Sequence, residues 1–95
     1  MYKIITPEQF LRQARRFLKK HPDLKTRFAR VLSDLQVDPF QNRLELHPLS
    51  GKLAGCHAVH STHSYRLTLT LLFNEREIIL LDIGSHDQVY RDATF

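Results

Sequence analysis

The 95-residue chain has one cysteine, no tryptophan, three glycines and four prolines. A lone Cys56 excludes an internal disulfide framework and any zinc cluster built on cysteine, and it fits a reducing compartment. No apolar stretch approaches the roughly 20 residues that span a bilayer. The opening MYKIITPEQF has neither the basic start nor the long apolar stretch of a secretory leader. A soluble, cytoplasmic protein without a membrane partner is expected. No Gly-rich phosphate loop, paired-carboxylate motif or serine nucleophile elbow occurs, so no small-molecule cofactor is expected. The length is too short for a cofactor-binding fold plus a substrate domain, which leaves one domain over residues 1–95.

With 42% hydrophobic and 25% charged residues, the composition is that of a packed globule. The formal charge of +4 is unevenly spread. Nine Lys or Arg face three acids in residues 1–36, giving +6, whereas five face seven in residues 37–95, giving −2. A basic half of this kind attracts a polyanion or an acidic protein segment. The same charges also suit two merely solvated helix faces.

Tyr2 to Ile5 has the weak alternation of a short strand. Thr6-Pro7-Glu8-Gln9 reads as a helix start, with Thr6 capping, Pro7 in the first turn and Gln9 closing a capping box. Phe10, Leu11, Ala14, Phe17 and Leu18 follow at helical spacing, and Arg12, Arg15, Arg16, Lys19 and Lys20 fall on the wet side. His21-Pro22-Asp23 ends this helix near Lys20 and opens a second. Leu24, Phe28, Val31, Leu32 and Leu35 form the apolar stripe of that second helix, which also carries Arg27 and Arg30. Asp38-Pro39 closes the helical part, and residues 40–53 are mixed, with a turn signal at HPLSG. Strands are expected at 54–60, 66–73 and 77–83, the last (EIILLDI) apolar on both faces and therefore central. The predicted fold is α+β and two-layer, an N-terminal strand and a helical hairpin packed on a mostly antiparallel sheet.

Five of the six histidines lie between positions 47 and 86. In a meander with Phe73 facing Glu77, Arg66 lies opposite Gly84 and Tyr65 beside Ser85. If residues 61–64 are a four-residue loop, His60 faces Tyr65. One sheet end then gathers His60, Tyr65, Arg66 and His86 within reach of one substrate group. Histidine serves as acid or base near neutrality, tyrosine donates, and arginine stabilises charge on a phosphate. Such a set suits RNA cleavage without a metal: a base deprotonates the ribose 2′-OH, which attacks the adjacent phosphate while an acid protonates the leaving oxygen. It also suits ordinary polar residues at a strand edge. The His57-x-x-His60 spacing gives no metal site, because an extended strand points the two to opposite faces. His21 reads as a helix cap or a solvated residue, and Cys56 as a buried thiol and not a nucleophile. Asp82 reads as an orienting group or a structural hydrogen-bond partner.

The element order together with HPLSGKLAG, SYRL and LLDIGSHDQVY resembles the RelE/ParE superfamily of bacterial toxins, and within it the YafQ-like branch of RelE-type mRNA interferases. The resemblance covers nearly the whole chain. It implies the RelE-like fold and the toxin of a type II toxin–antitoxin system, a ribosome-dependent endoribonuclease held inactive by a cognate antitoxin. Position by position it brings His47, His60, His86 and Tyr90 to the site, with Tyr65 where the branch has tryptophan and Arg66 in the wider YRL element. Ser64 replaces an acidic residue, and Asp82-Ile83 stands where a late arginine is expected. His60 or His47 is then the base, His86 the acid and Arg66 the phosphate-stabilising cation. Arg12, Arg15, Arg16, Lys19, Lys20, Arg27, Arg30 and Lys52 form the docking surface for the ribosome and mRNA. A gyrase-poisoning relative and a non-catalytic antitoxin-binding module are the alternatives.

Overall fold

A computed structural model describes residues 1–60 and 65–85. Strand β1 (Lys3–Ile5) leads into helix α1 (Glu8–Lys20), a 3-10 turn at Pro22–Leu24 and helix α2 (Lys25–Val37). Strands β2 (His47–Pro48), β3 (His57–His60), β4 (Tyr65–Leu72) and β5 (Glu77–Ser85) follow. Their order in the sheet is β1-β5-β4-β3-β2, antiparallel except for the β1/β5 pair. The expected α+β layering, with β5 in the interior, is what forms.

The α1 start differs from the capping-box expectation. Pro7 occupies the N-cap position and no side chain caps the helix, so Thr6 and Gln9 do not form the reciprocal pair. The break at His21 is as sharp as the proline demands. The His21 N–H closes α1 on the Phe17 carbonyl at 3.0 Å, and three 3-10 residues reverse the chain before α2 begins at Lys25. Phe10 and Phe28 join the helices through rings 6.5 Å apart.

Both helices bury their apolar stripes on one sheet face. Phe10, Ala14, Val31 and Leu35 meet Val59, Leu67, Leu69, Leu71, Ile78, Leu80 and Ile83 in one continuous core. Each such Leu or Ile contributes roughly 1.5–3 kcal/mol by leaving water. Strand alternation puts Ala58 and Thr68 on the opposite face, yet both are also buried.

All three meander strands begin or end at other points than their apolar patterns imply, β5 running on to Ser85 past the expected end at Ile83. β3 starts at His57 instead of Ala54, because Gly51–Leu53 forms a 3-10 turn and Gly55 takes φ +94°. Phe73 leaves β4 for the turn, where it is exposed and stacks on Phe40. The turn pairs Leu72, not Phe73, with Glu77. A bulge then inserts Leu81 opposite the Thr68/Leu69 step, so that Arg66 faces Gly84 and Tyr65 faces Ser85, as the meander count expects.

Candidate active site

The β3/β4 pairing sets the site. His60 lies opposite Arg66, not Tyr65, which corrects the four-residue-loop expectation by one residue. A one-residue slip changes the face of a side chain. His60 and Arg66 therefore share the face away from the helices. Tyr65, next in line, takes the helix face with Leu67 and Val59.

His47 joins the first group through β2, whose two residues pair with β3 so that His47 stands opposite Ala58. Directly opposed residues share a sheet face. The His47 and His60 rings are 5.8 Å apart. Arg66 Nη1 donates to His47 Nε2 at 3.3 Å. His47 Nδ1 donates to the Glu45 carbonyl at 2.8 Å, and His60 Nε2 donates to the Glu45 carboxylate at 3.0 Å. Two imidazoles, one guanidinium and one carboxylate thus converge. Thr68 adds a fifth polar group on this face. It is 2% exposed, and its hydroxyl has no hydrogen-bond partner among the described residues.

Glu45 was missed in the sequence. Its φ of +51° ends the 3-10 turn Asn42–Leu44 and swings the chain into β2. A non-glycine residue in this conformation is uncommon and clusters at functional sites. Its one trace in the sequence is the Glu45-Leu46-His47 alternation, which puts both polar side chains on one face of an extended segment.

Tyr65 packs against helix α1. Its ring stands edge-on to Phe17 at 4.9 Å, and its hydroxyl lies 3.3 Å from a ring nitrogen of His21. His21, read as a cap or a solvated residue, is both the closing residue of α1 and the partner of this tyrosine. Arg12, Arg16, Lys20, Gln13 and Asp82 line, together with His21 and Tyr65, an open groove of about 840 Å³. Arg12, Arg16 and Lys20 are spaced by four along α1 and form one stripe. Arg15 and Lys19 are not in that lining; like Arg27 and Arg30 on α2 they are exposed, as is Lys52 in the 3-10 turn Gly51–Leu53. Gln13 donates to the Asp82 carboxylate and, at 3.0 Å, to the Ile83 carbonyl, tying α1 to the bulged stretch of β5. Asp82 thus has the structural hydrogen bond that was one of its two readings. His86 and Tyr90 lie outside the described residues, as does Ser64.

Cys56 is half-buried, with Sγ 3.9 Å from the Thr70 hydroxyl. His57 stands opposite Leu69, on the face opposite to His60. Among the described residues no three His, Cys, Asp or Glu side chains are placed to hold a metal ion. No helix among them is long and apolar enough to cross a membrane.

The fold is shared with known toxins. YafQ from E. coli strain BL21(DE3) superposes with a TM-score of 0.78 at 17% identity, covering 95% of this chain and 99% of that one. A metal-bound toxin from Helicobacter pylori gives 0.76 at 26% identity, with 94% and 99% covered. The RelBE2 toxin–antitoxin complex of Mycobacterium tuberculosis contains a chain that gives 0.68 at 20%, with 90% and 98% covered. No curated protein matches the sequence significantly. The sequence profile of YafQ, the bacterial toxin of a type II toxin–antitoxin system, matches residues 2–91, so the chain belongs to the YafQ toxin family.

Proposed function

We propose that this toxin cuts mRNA on the ribosome by metal-independent acid–base chemistry, using His47, His60 and Arg66 on the open face of the sheet. Endoribonuclease activity and a cognate antitoxin go with membership of the family. The ribosome as the place of action, the residue roles and the independence from metal are our reading, as is action in the cytoplasm. One observation carries it: a base, an acid and a fixed cation lie on adjoining strands, with rings 5.8 Å apart and the guanidinium 3.3 Å from one of them. Cleavage next to a ribose needs a proton taken from the 2′-OH, a proton given to the leaving 5′-oxygen and positive charge beside the phosphorane. All three come from side chains, so the reaction requires no Lewis acid. His86 and Tyr90 complete the proposed set from the segment after β5. The basic stripe of α1 is the proposed docking surface, on the opposite side of the sheet from the chemistry.

Primer extension on mRNA in a translating extract tests this. Wild-type toxin should give codon-phased cuts that persist with a transition-metal chelator that leaves the Mg²⁺ of the ribosomes in place, and the double variant His60→Ala/His86→Ala should give none. Undiminished cutting by the double variant would refute the assignment. Inhibited supercoiling with intact mRNA would replace it with gyrase poisoning.

A further inference from the structure

We propose that Glu45 is the positioning residue of the site, holding His47 by its carbonyl and His60 by its carboxylate, so that His47 Nε2 and His60 Nδ1 are the nitrogens that exchange protons with RNA. The inference rests on the reading of the site as an RNA-cleaving centre and adds to it a residue and a division of roles.

A backbone carbonyl only accepts, so the 2.8 Å contact puts a proton on His47 Nδ1. An arginine N–H only donates, so the 3.3 Å contact from Arg66 uses the Nε2 lone pair. His47 is therefore held as the neutral Nδ1–H tautomer, with its lone pair beside the arginine. A carboxylate likewise only accepts, so His60 carries its proton on Nε2 toward Glu45 at 3.0 Å. A second proton, on Nδ1, makes an imidazolium whose charge faces a carboxylate. The other charged and titratable groups beside His60, among the described residues, are His47 and its β4 partner Arg66. One ring is thus set up as base and the other as acid, in place of the acid role that the resemblance gives His86, and neighbouring groups divide the roles of an acid–base pair.

The balanced step follows. As Arg66 turns its N–H from His47 Nε2 to a phosphoryl oxygen, the freed Nε2 lone pair takes the proton of the 2′-OH, and the 2′-oxygen forms a bond to phosphorus. The bond from phosphorus to the 5′-oxygen breaks, and that oxygen receives the proton from His60 Nδ1. A 2′,3′-cyclic phosphate and a free 5′-hydroxyl result, with Arg66 next to the phosphoryl oxygens. The left-handed backbone of Glu45 is what allows one residue to address both rings. With φ at +51° its carbonyl meets His47, two residues on, and its side chain reaches His60 across the β2/β3 pair. The Glu45 side chain is 66% exposed and that of His60 24%, so the holding contact sits at the rim, where RNA can enter.

The test combines imidazole 15N NMR of the isolated toxin with cleavage in a translating extract, on wild type, Glu45→Gln and Glu45→Gly. In wild type His47 should be the Nδ1–H tautomer, the minor form of free histidine, and it should stay so in both variants because the carbonyl remains. The His60 titration midpoint should fall by roughly half a unit or more in both variants. The basic limb of the pH–rate profile should move down with it, and cleavage at pH 7.5 should drop about threefold or more. The inference is overturned if His47 is the Nε2–H tautomer, or if the His60 midpoint is unchanged in both variants. Absence of RNA cleavage by wild type, with the NMR results as expected, would instead overturn the functional reading on which the inference rests.

Discussion

Tyr65 and Arg66 are consecutive in β4 and serve opposite faces of the sheet: the tyrosine hydroxyl lies 3.3 Å from His21 at the end of helix α1, the guanidinium 3.3 Å from His47 on β2. Replacing them should separate chemistry from docking. Arg66→Ala removes the proposed phosphate-stabilising cation, and cleavage should fall by about 10² to 10³, the usual loss for one charge-stabilising group. Tyr65→Phe removes one weak hydrogen bond, about 1 kcal/mol of stability, and should leave the cleavage rate within threefold. Single-turnover cleavage and urea melts of the two variants check this. A Tyr65→Phe defect as large as that of Arg66→Ala would return the tyrosine to the catalytic group.

The basic stripe gives a second expectation. Arg12, Arg16 and Lys20 line the groove, whereas Arg15 and Lys19 do not. If RNA lies in the groove, neutralising the first three should weaken ribosome binding and lower the slope of log K against log salt by about 0.7–0.9 for each phosphate that is no longer neutralised. Neutralising Arg15 and Lys19 should change the slope by less than half as much. Titrations of ribosome binding from low to high salt measure both, and equal slopes would mean that the helix charges act only as a diffuse field.

Much of this arrangement was legible in the sequence, and the exceptions have local causes. The helical hairpin, the interior β5 and the Arg66/Gly84 register follow from apolar periodicity and turn chemistry. The register came out right at the site although the turn is one residue off, because the Leu81 bulge restores the count. Alternation alone does not reveal a bulge. Nor does it fix the β3/β4 loop, and the one-residue difference there exchanges Tyr65 for Arg66 opposite His60. β2 is too short for any periodic signal, with only His47 and Pro48 paired. The role of Glu45 depends on a left-handed backbone, which a glutamate does not advertise.

That backbone carries its own expectation. A left-handed conformation costs an L-residue roughly 1–2 kcal/mol relative to its preferred regions, and glycine avoids the penalty. Glu45→Gly should therefore raise stability by about 0.5–1 kcal/mol, seen as a higher urea midpoint with an unchanged slope, while cleavage falls. A gain in stability with a loss of activity would mark Glu45 as held in place for function. A variant less stable than wild type would mean that the exposed ion pair with His60 outweighs the strain.

Thr68 provides the last test, since it is buried on the same face as His47 and Arg66 with a hydroxyl that no described group satisfies. Burying an unpaired hydroxyl costs about 1–3 kcal/mol by mutational measure. A core position gains nothing from that, whereas the floor of an RNA site gains a donor and acceptor for a substrate oxygen or a bridging water. Thr68→Val keeps the branched shape and removes the hydroxyl, so the folded protein should be about 1 kcal/mol more stable. If the hydroxyl meets RNA, cleavage should fall by roughly fivefold to tenfold, with KM affected more than kcat. Thermal melts and saturation kinetics on the same preparation distinguish the cases. A stabilised variant with wild-type kinetics would place Thr68 beneath the site and out of contact with RNA, and leave recognition to His47, His60 and Arg66.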